Sequence, residues 1–277
     1  MSTRKTQMST RQAVVATATA FFRVDVIEEA NYPISFAMRL LGVVAPLIPF
    51  FFISKLVGNS PEVGGDYLTF TVIGLAMTAL LTAAMVGFGN TLQQSFQRGT
   101  METFLIEPVP WTAIPLAMNQ WQVMNGLIYT VLLMGAGWVL GAHYQLGGVG
   151  AAILIALLGI TAGLAIGIVS AAVLLLTLKS TPVIRIYDIA ASLLAGSLFS
   201  VAQLPGWAQA LSVVLPHTYV INGVRTALMA DPGSYEISLT RAVVSLGVFD
   251  VVVFAFGIWL WRRTLEYSRK IGLLGGY

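Results

Sequence analysis

From Pro108 to Leu178 the chain runs 71 residues without an Asp, Glu, Lys or Arg. As continuous helix that stretch would be about 106 Å long, whereas a bilayer's hydrocarbon core is about 30 Å thick and is crossed by about 20 apolar residues. The interval therefore has to fold back once. Gly141-Ala-His-Tyr-Gln-Leu-Gly-Gly148 is its polar, Gly-rich point, which places spans at about 114–140 and 149–178. With 57% hydrophobic and only 10% charged residues, against roughly 25% charged in soluble domains, the expected fold class is an all-α polytopic membrane protein.

The other uncharged intervals serve as the same ruler. Arg39 and Lys55 bracket a first span at about 38–56, kinked by Pro46 and Pro49. Asp66 and Arg98 bracket a second at about 68–92. Between Asp188 and Arg225 the length is ambiguous, and prolines decide it. Only ten residues separate Pro205 from Pro216, about 15 Å of helix, too short to cross. The expectation is a fifth span at about 189–204, then a short external amphipathic or re-entrant hairpin from Trp207 to Met229. A last span follows at about 242–261, which makes six.

The scarce basic residues orient this arrangement. Arg4, Lys5, Arg11, Arg23, Arg39, Arg98, Lys179, Arg185, Arg262, Arg263, Arg269 and Lys270 fall on the side of the termini, against Lys55, Arg225 and Arg241 on the other. The positive-inside rule makes the first side cytoplasmic. The tryptophans and tyrosines near span ends, Trp259 and Trp261 among them, read as interface anchors, and so do Arg225 and Arg241. Charge throughout residues 1–36 argues against a cleavable signal peptide before the first span. Val14, Val15, Ala18, Phe21, Phe22 and Val26 share one helical face, so this N-terminal segment is read as an interfacial amphipathic helix, the alternative being an unstructured tail. Residues 37–261 form the membrane domain and 262–277 a cytoplasmic tail.

Several chemistries are excluded. The net charge of +3 is scattered and offers no nucleic-acid surface. With no Cys there is no disulfide framework, thiol nucleophile or Cys-ligated metal. None of the four lysines follows a Gly, so no phosphate-binding loop is present and the chain by itself is not a P-loop ATPase. His143 and His217 lack metal-ligand spacing, and no hydrolase signature nominates a nucleophile. Asp250 is the one acid inside an expected span, where it marks either a substrate path or a helix-packing hydrogen bond. Gly159, Gly163 and Gly167 line one helix face suited to close packing, within one protomer or between two.

Two polar segments carry the functional reading. In the cytoplasmic segment, Thr100 is placed to cap a short helix that repeats Met101, Phe104 and Leu105 on one face and ends at Pro108. This is either a docking element or a plain connecting loop. Gln97-Arg-Gly-Thr-Met-Glu-Thr-Phe-Leu-Ile-Glu-Pro-Val109 resembles the Glu-Arg/Lys-Gly-Thr-Leu-Glu-x-Leu-Leu-x-Thr-Pro-Val segment of the type 2 ABC-transporter permeases. Leu215-Pro-His-Thr-Tyr-Val-Ile-Asn-Gly-Val-Arg225 is similar to that family's Leu-Pro-x-Thr-Tyr-x-x-Glu-Ala-Leu-Arg, with Pro216, Tyr219 and Arg225 matching. The chain departs from the pattern at Gln97, Glu107 and Asn222-Gly223.

The resemblance implies the permease subunit of an ATP-driven exporter in a prokaryotic inner or plasma membrane, moving a hydrophobic or amphipathic substrate out of the cytoplasm. It implies a coupling helix at about 94–107, with Arg98, Gly99, Thr100 and Glu102 contacting a separate ATPase subunit. ATP and Mg would be bound by that partner and no cofactor by this chain, and a second copy or a related permease would complete the transporter. The competing class is an energy-independent transporter or a membrane scaffold. Secondary transporters typically pair ionisable residues near the midplane, and this sequence offers Asp250 alone.

Overall fold

Pro46 breaks the first span in two. In a computed structural model that describes residues 29–57, 66–97, 113–177 and 182–270, with Thr19, 22–24, 26 and 27, helix α1 (Pro33–Val44) ends in a turn at Ala45–Pro46, and α2 (Leu47–Val57) resumes beyond it. A proline lacks the N–H that would continue the helical ladder and clashes with the preceding turn. Pro49, in the first turn of α2, costs no hydrogen bond. Preceding α1, the described residues between Thr19 and Ala30 are helical, and the Phe22 ring meets Trp121 edge-on at 5.7 Å.

The long uncharged intervals form the long helices. They are α3 (Tyr67–Gln97), α4 (Ala113–Leu140), α5 (Val149–Thr177) and α9 (Leu239–Lys270), with the short α6 (Pro182–Leu194), α7 (Gly206–Ser212) and α8 (Pro216–Leu228) between α5 and α9. The fold-back between α4 and α5 lies where glycine allows it. Gly141 has φ of 106°, in the left-handed region that glycine enters without Cβ strain, and a 3-10 turn at Leu146–Gly148 leads into α5. Among the described residues five helical stretches are long and apolar enough to cross a membrane, at Pro33–Val57, Tyr67–Gln94, Asn119–Leu140, Leu146–Leu175 and Leu239–Ser268. The described residues contain no strand.

The expected span at 189–204 takes a different form. Helix α6 covers its first part, starting earlier at Pro182, and at 13 residues it is about 20 Å long. The chain then leaves helical geometry at Ala195, with φ of 73° at Gly196 and a 3-10 turn at Val201–Gln203 before Pro205. The last helix, in turn, runs past the expected boundary at Trp261 to Lys270. Trp261 is buried, packed edge-on against Phe88 at 5.0 Å, so it locks α9 to α3 instead of anchoring at an interface.

Helix α3 is the centre of the bundle, packed against α4 on one side and α5 on another, with α9 laid along α5. Close approach of α5 to α3 needs the glycine face. A Cβ at Gly163 would lie 2.8 Å from Ala84 Cβ, and one at Gly167 would lie 2.7 Å from the Met85 carbonyl oxygen. A Cβ at Gly159 would meet Val220 of α8 at 2.8 Å. This face therefore packs within the protomer, where backbones approach closely without side chains between them.

Candidate functional site

Helix α8 starts from sequence chemistry alone. Pro216 occupies its first turn, and Leu215 before it is extended at φ −83°, ψ 128°, as a residue preceding proline prefers. The Thr218 hydroxyl donates to the Ser212 carbonyl at 2.6 Å, and the Tyr219 hydroxyl donates to the Val213 carbonyl at 2.8 Å. The Ser212 hydroxyl in turn lies 2.6 Å from the Leu194 carbonyl at the end of α6. These bonds join α6, α7 and α8 into one unit, and two members of the Leu-Pro-x-Thr-Tyr stretch, Thr218 and Tyr219, contribute to it.

Arg225, in the last turn of α8, is 0% exposed. Its Nε and Nη2 donate to the Phe70 carbonyl at 3.2 and 3.0 Å. Nη2 also donates to the Ser197 carbonyl at 2.8 Å, while Nη1 donates to the Gly196 carbonyl at 2.8 Å and to Asn222 Oδ1 at 3.1 Å. The guanidinium carbon lies 3.3 Å from the centroid of the Phe70 ring. Burial disfavours the charged form, yet guanidinium keeps its proton in proteins. Carbonyl dipoles and an aromatic face supply the compensation that a carboxylate gives elsewhere. Among the described residues no carboxylate forms an ion pair with it. Arg225 is thus an internal tie between α8, the turn after α6 and the start of α3, not an interface anchor.

Asn222, at the position where the resembled motif has Glu, fits this node through both ends of its amide. Its Oδ1 accepts from Arg225, and its Nδ2 donates to the carbonyls of Thr218 at 2.9 Å and Ala195 at 3.3 Å. His217, one turn earlier, is 0% exposed, and neither ring nitrogen has a partner among the described residues. Its ring meets Tyr187 of α6 edge-on at 5.9 Å, and burial pushes its pKa down to about 4. Nearby, Asp66 caps α3, its Oδ1 accepting from the Thr69 N–H at 3.0 Å and its Oδ2 from the Thr69 hydroxyl at 2.6 Å. That hydroxyl accepts from the His143 N–H at 2.8 Å, fastening the α4–α5 turn to the same end of the bundle.

Two carboxylates are bonded to threonines near the middle of long helices. Asp250 of α9 accepts a hydrogen bond from the Thr161 hydroxyl of α5 through Oδ2, while Oδ1 is buried without a partner among the described residues. Asp188 of α6 accepts from the Thr82 hydroxyl at 2.7 Å, and Thr82 is the central residue of α3. Asp188 escaped the sequence reading because it lies just outside the expected 189–204 span. Helix α6 begins earlier and carries it to the middle of the membrane domain. Arg98, Gly99, Thr100 and Glu102 lie outside the described residues, as do most of the expected coupling helix and the tail beyond Lys270.

The route of the helices fixes which segments share an end. Helix α3 runs away from the Arg225 node to Gln97, α4 begins again at Ala113, and α9 runs the same way as α3 to Lys270. Gln97, Ala113 and the Arg262–Arg263 end of α9 therefore lie at the end of the bundle opposite α7 and α8, where Phe22 also meets Trp121. In comparisons with known proteins, the family model described as ABC-2 type transporter matches residues 30–229. No curated protein matches the chain.

Proposed function

The chain belongs to the ABC-2 type transporter family, and from that premise we propose that it is the membrane-spanning permease of an ATP-driven exporter whose energy comes from a separate ATPase subunit. Membership makes it a transport subunit of a multi-pass membrane protein. Export, the ATPase contact and pairing with a second permease are the steps proposed here. The observation that supports them is that Gln97 and Ala113, which flank the cytoplasmic motif in the sequence, lie at the same end of the bundle as the basic end of α9. By the positive-inside rule that end faces the cytoplasm of a prokaryotic cell, where an ATPase subunit holding ATP and Mg has access to it.

In this reading the segment at about 94–107 acts as a coupling helix, with Arg98, Gly99, Thr100 and Glu102 seated in a groove of the ATPase. Continuity with α3 makes it a lever. Helix α3 extends unbroken from the Arg225 node to Gln97, so a displacement at its cytoplasmic end is transmitted along the central helix of the bundle. The cargo is hydrophobic or amphipathic, and its path runs beside a second permease. The test is Glu102→Lys in the complete complex. The expected result is normal membrane insertion with loss of the co-purifying ATPase subunit. Undiminished co-purification would remove Glu102 from the interface.

A further inference from the structure

The two acids held by threonines differ in what their second oxygen meets. Each receives a hydroxyl from a threonine at the centre of a neighbouring long helix, Thr82 in α3 for Asp188 and Thr161 in α5 for Asp250. Asp250 keeps its other oxygen buried and without a partner among the described residues. Asp188 is half-buried, and its remaining oxygen is neither closed off in that way nor paired with a basic group among the described residues. Ile189, the next residue, and Leu193, one turn further along α6, expose their apolar side chains, at 61% and 48%.

A carboxylate at mid-span is too costly to present to lipid tails, so its open side faces water, protein or a passing ligand. Thr82 occupies one oxygen and fixes the carboxylate's orientation, and the other is left to accept from a cation. Apolar surface beside a fixed, accessible negative charge is complementary to a lipophilic cation.

We infer that Asp188, oriented by Thr82 and next to the exposed Ile189–Leu193 stripe of α6, is a substrate-selecting site for positively charged amphiphiles at the middle of the membrane. This rests on the exporter reading, since it names the charge class of that cargo. Asp188 here touches the substrate, and Thr82 is a positioning residue.

The test uses the full chain in lipid nanodiscs without nucleotide, with tetraphenylphosphonium and tetraphenylborate as probes of nearly equal size and opposite charge. The phosphonium is expected to bind more tightly. Asp188→Asn, which keeps an acceptor for Thr82, should weaken phosphonium binding by about tenfold, equivalent to about 1.4 kcal/mol, and leave borate binding within about twofold. Equal binding of the two probes by the unaltered chain, or unchanged phosphonium binding by the variant, overturns the inference.

A second measurement needs no variant. Labelling of Asp188 by dicyclohexylcarbodiimide, read by peptide mass, should be slowed by the phosphonium and not by the borate. Absence of that protection also overturns the site. ATP-driven phosphonium uptake into proteoliposomes of the whole complex is a separate readout. Asp188-dependent binding without such uptake supports the site and overturns only the exporter reading.

Discussion

The guanidinium of Arg225 lies over the ring of Phe70 at 3.3 Å and donates twice to the carbonyl of that same residue, so one residue of α3 meets the arginine with both its side chain and its backbone. Together with the Gly196 and Ser197 carbonyls, this ties the hairpin to the central helix. A lysine has neither the planar fork nor the reach to serve these acceptors at once. Arg225→Lys should therefore cost about 3 kcal/mol, by loss of charge-assisted bonds and desolvation of the carbonyls left behind. Thermal unfolding of the purified chain in detergent checks this, and an unchanged midpoint would refute the role.

Gly74 tests the same node from the α3 side. A Cβ there would lie 1.9 Å from the Ser197 carbonyl oxygen and 2.7 Å from Arg225 Nη2, contacts that only a backbone shift relieves. A Cβ at Gly89, in the same helix, would meet nothing within 4 Å. Gly74→Ala should lower the unfolding midpoint by an amount comparable to overpacking a core, about 1–3 kcal/mol. Gly89→Ala should be neutral.

His217 sets a pH dependence. Its pKa is about 4 in the folded chain against 6.5 as an ordinary imidazole, so between those values the unfolded chain binds the extra proton. Its contribution to stability is fully present above pH 6.5, is lost as pH falls toward 4, and amounts to about 3 kcal/mol at 1.36 kcal/mol per unit. His217→Phe should preserve the edge-on contact with Tyr187 and flatten this part of the profile. The measurement is the difference in unfolding midpoint between the two proteins across that window.

Asp250 we assign to helix packing, because one oxygen is held by Thr161 and the other is enclosed. Asp250→Asn should assemble and transport as the unaltered protein does. Normal assembly with lost ATP-driven transport would instead put Asp250 on the path.

Much of the architecture was legible from charge spacing. The apolar intervals bracketed by Asp66 and Arg98, and by Pro108 and Leu178, became α3, α4 and α5, with the turn at Gly141 where a Gly-rich break was expected. Between Pro205 and Pro216, read as too close together for a crossing, lies only the 7-residue α7, and the Trp207–Met229 stretch holds α7 and α8. Helix α6 was less legible, since Asp188 looked like the end of an uncharged run. Only its bond to Thr82 shows that the charge is accommodated inside the bundle.

Crossing hydrocarbon demands a minimum apolar length whatever the partners are, and glycine and proline act on their own backbone, so length, composition and turn residues determined the long helices and where they reverse. The destinations of the polar side chains were decided by tertiary structure alone. Arg225 donates to a carbonyl 155 residues away, and Asp188 accepts from a hydroxyl 106 residues away. Every residue carries the same carbonyl, and nothing in a sequence marks which one packing will turn toward a buried charge. That is why an arginine that reads as an interface anchor is the most enclosed charge among the described residues, and why an acid at the margin of an expected span is bonded to the central residue of α3.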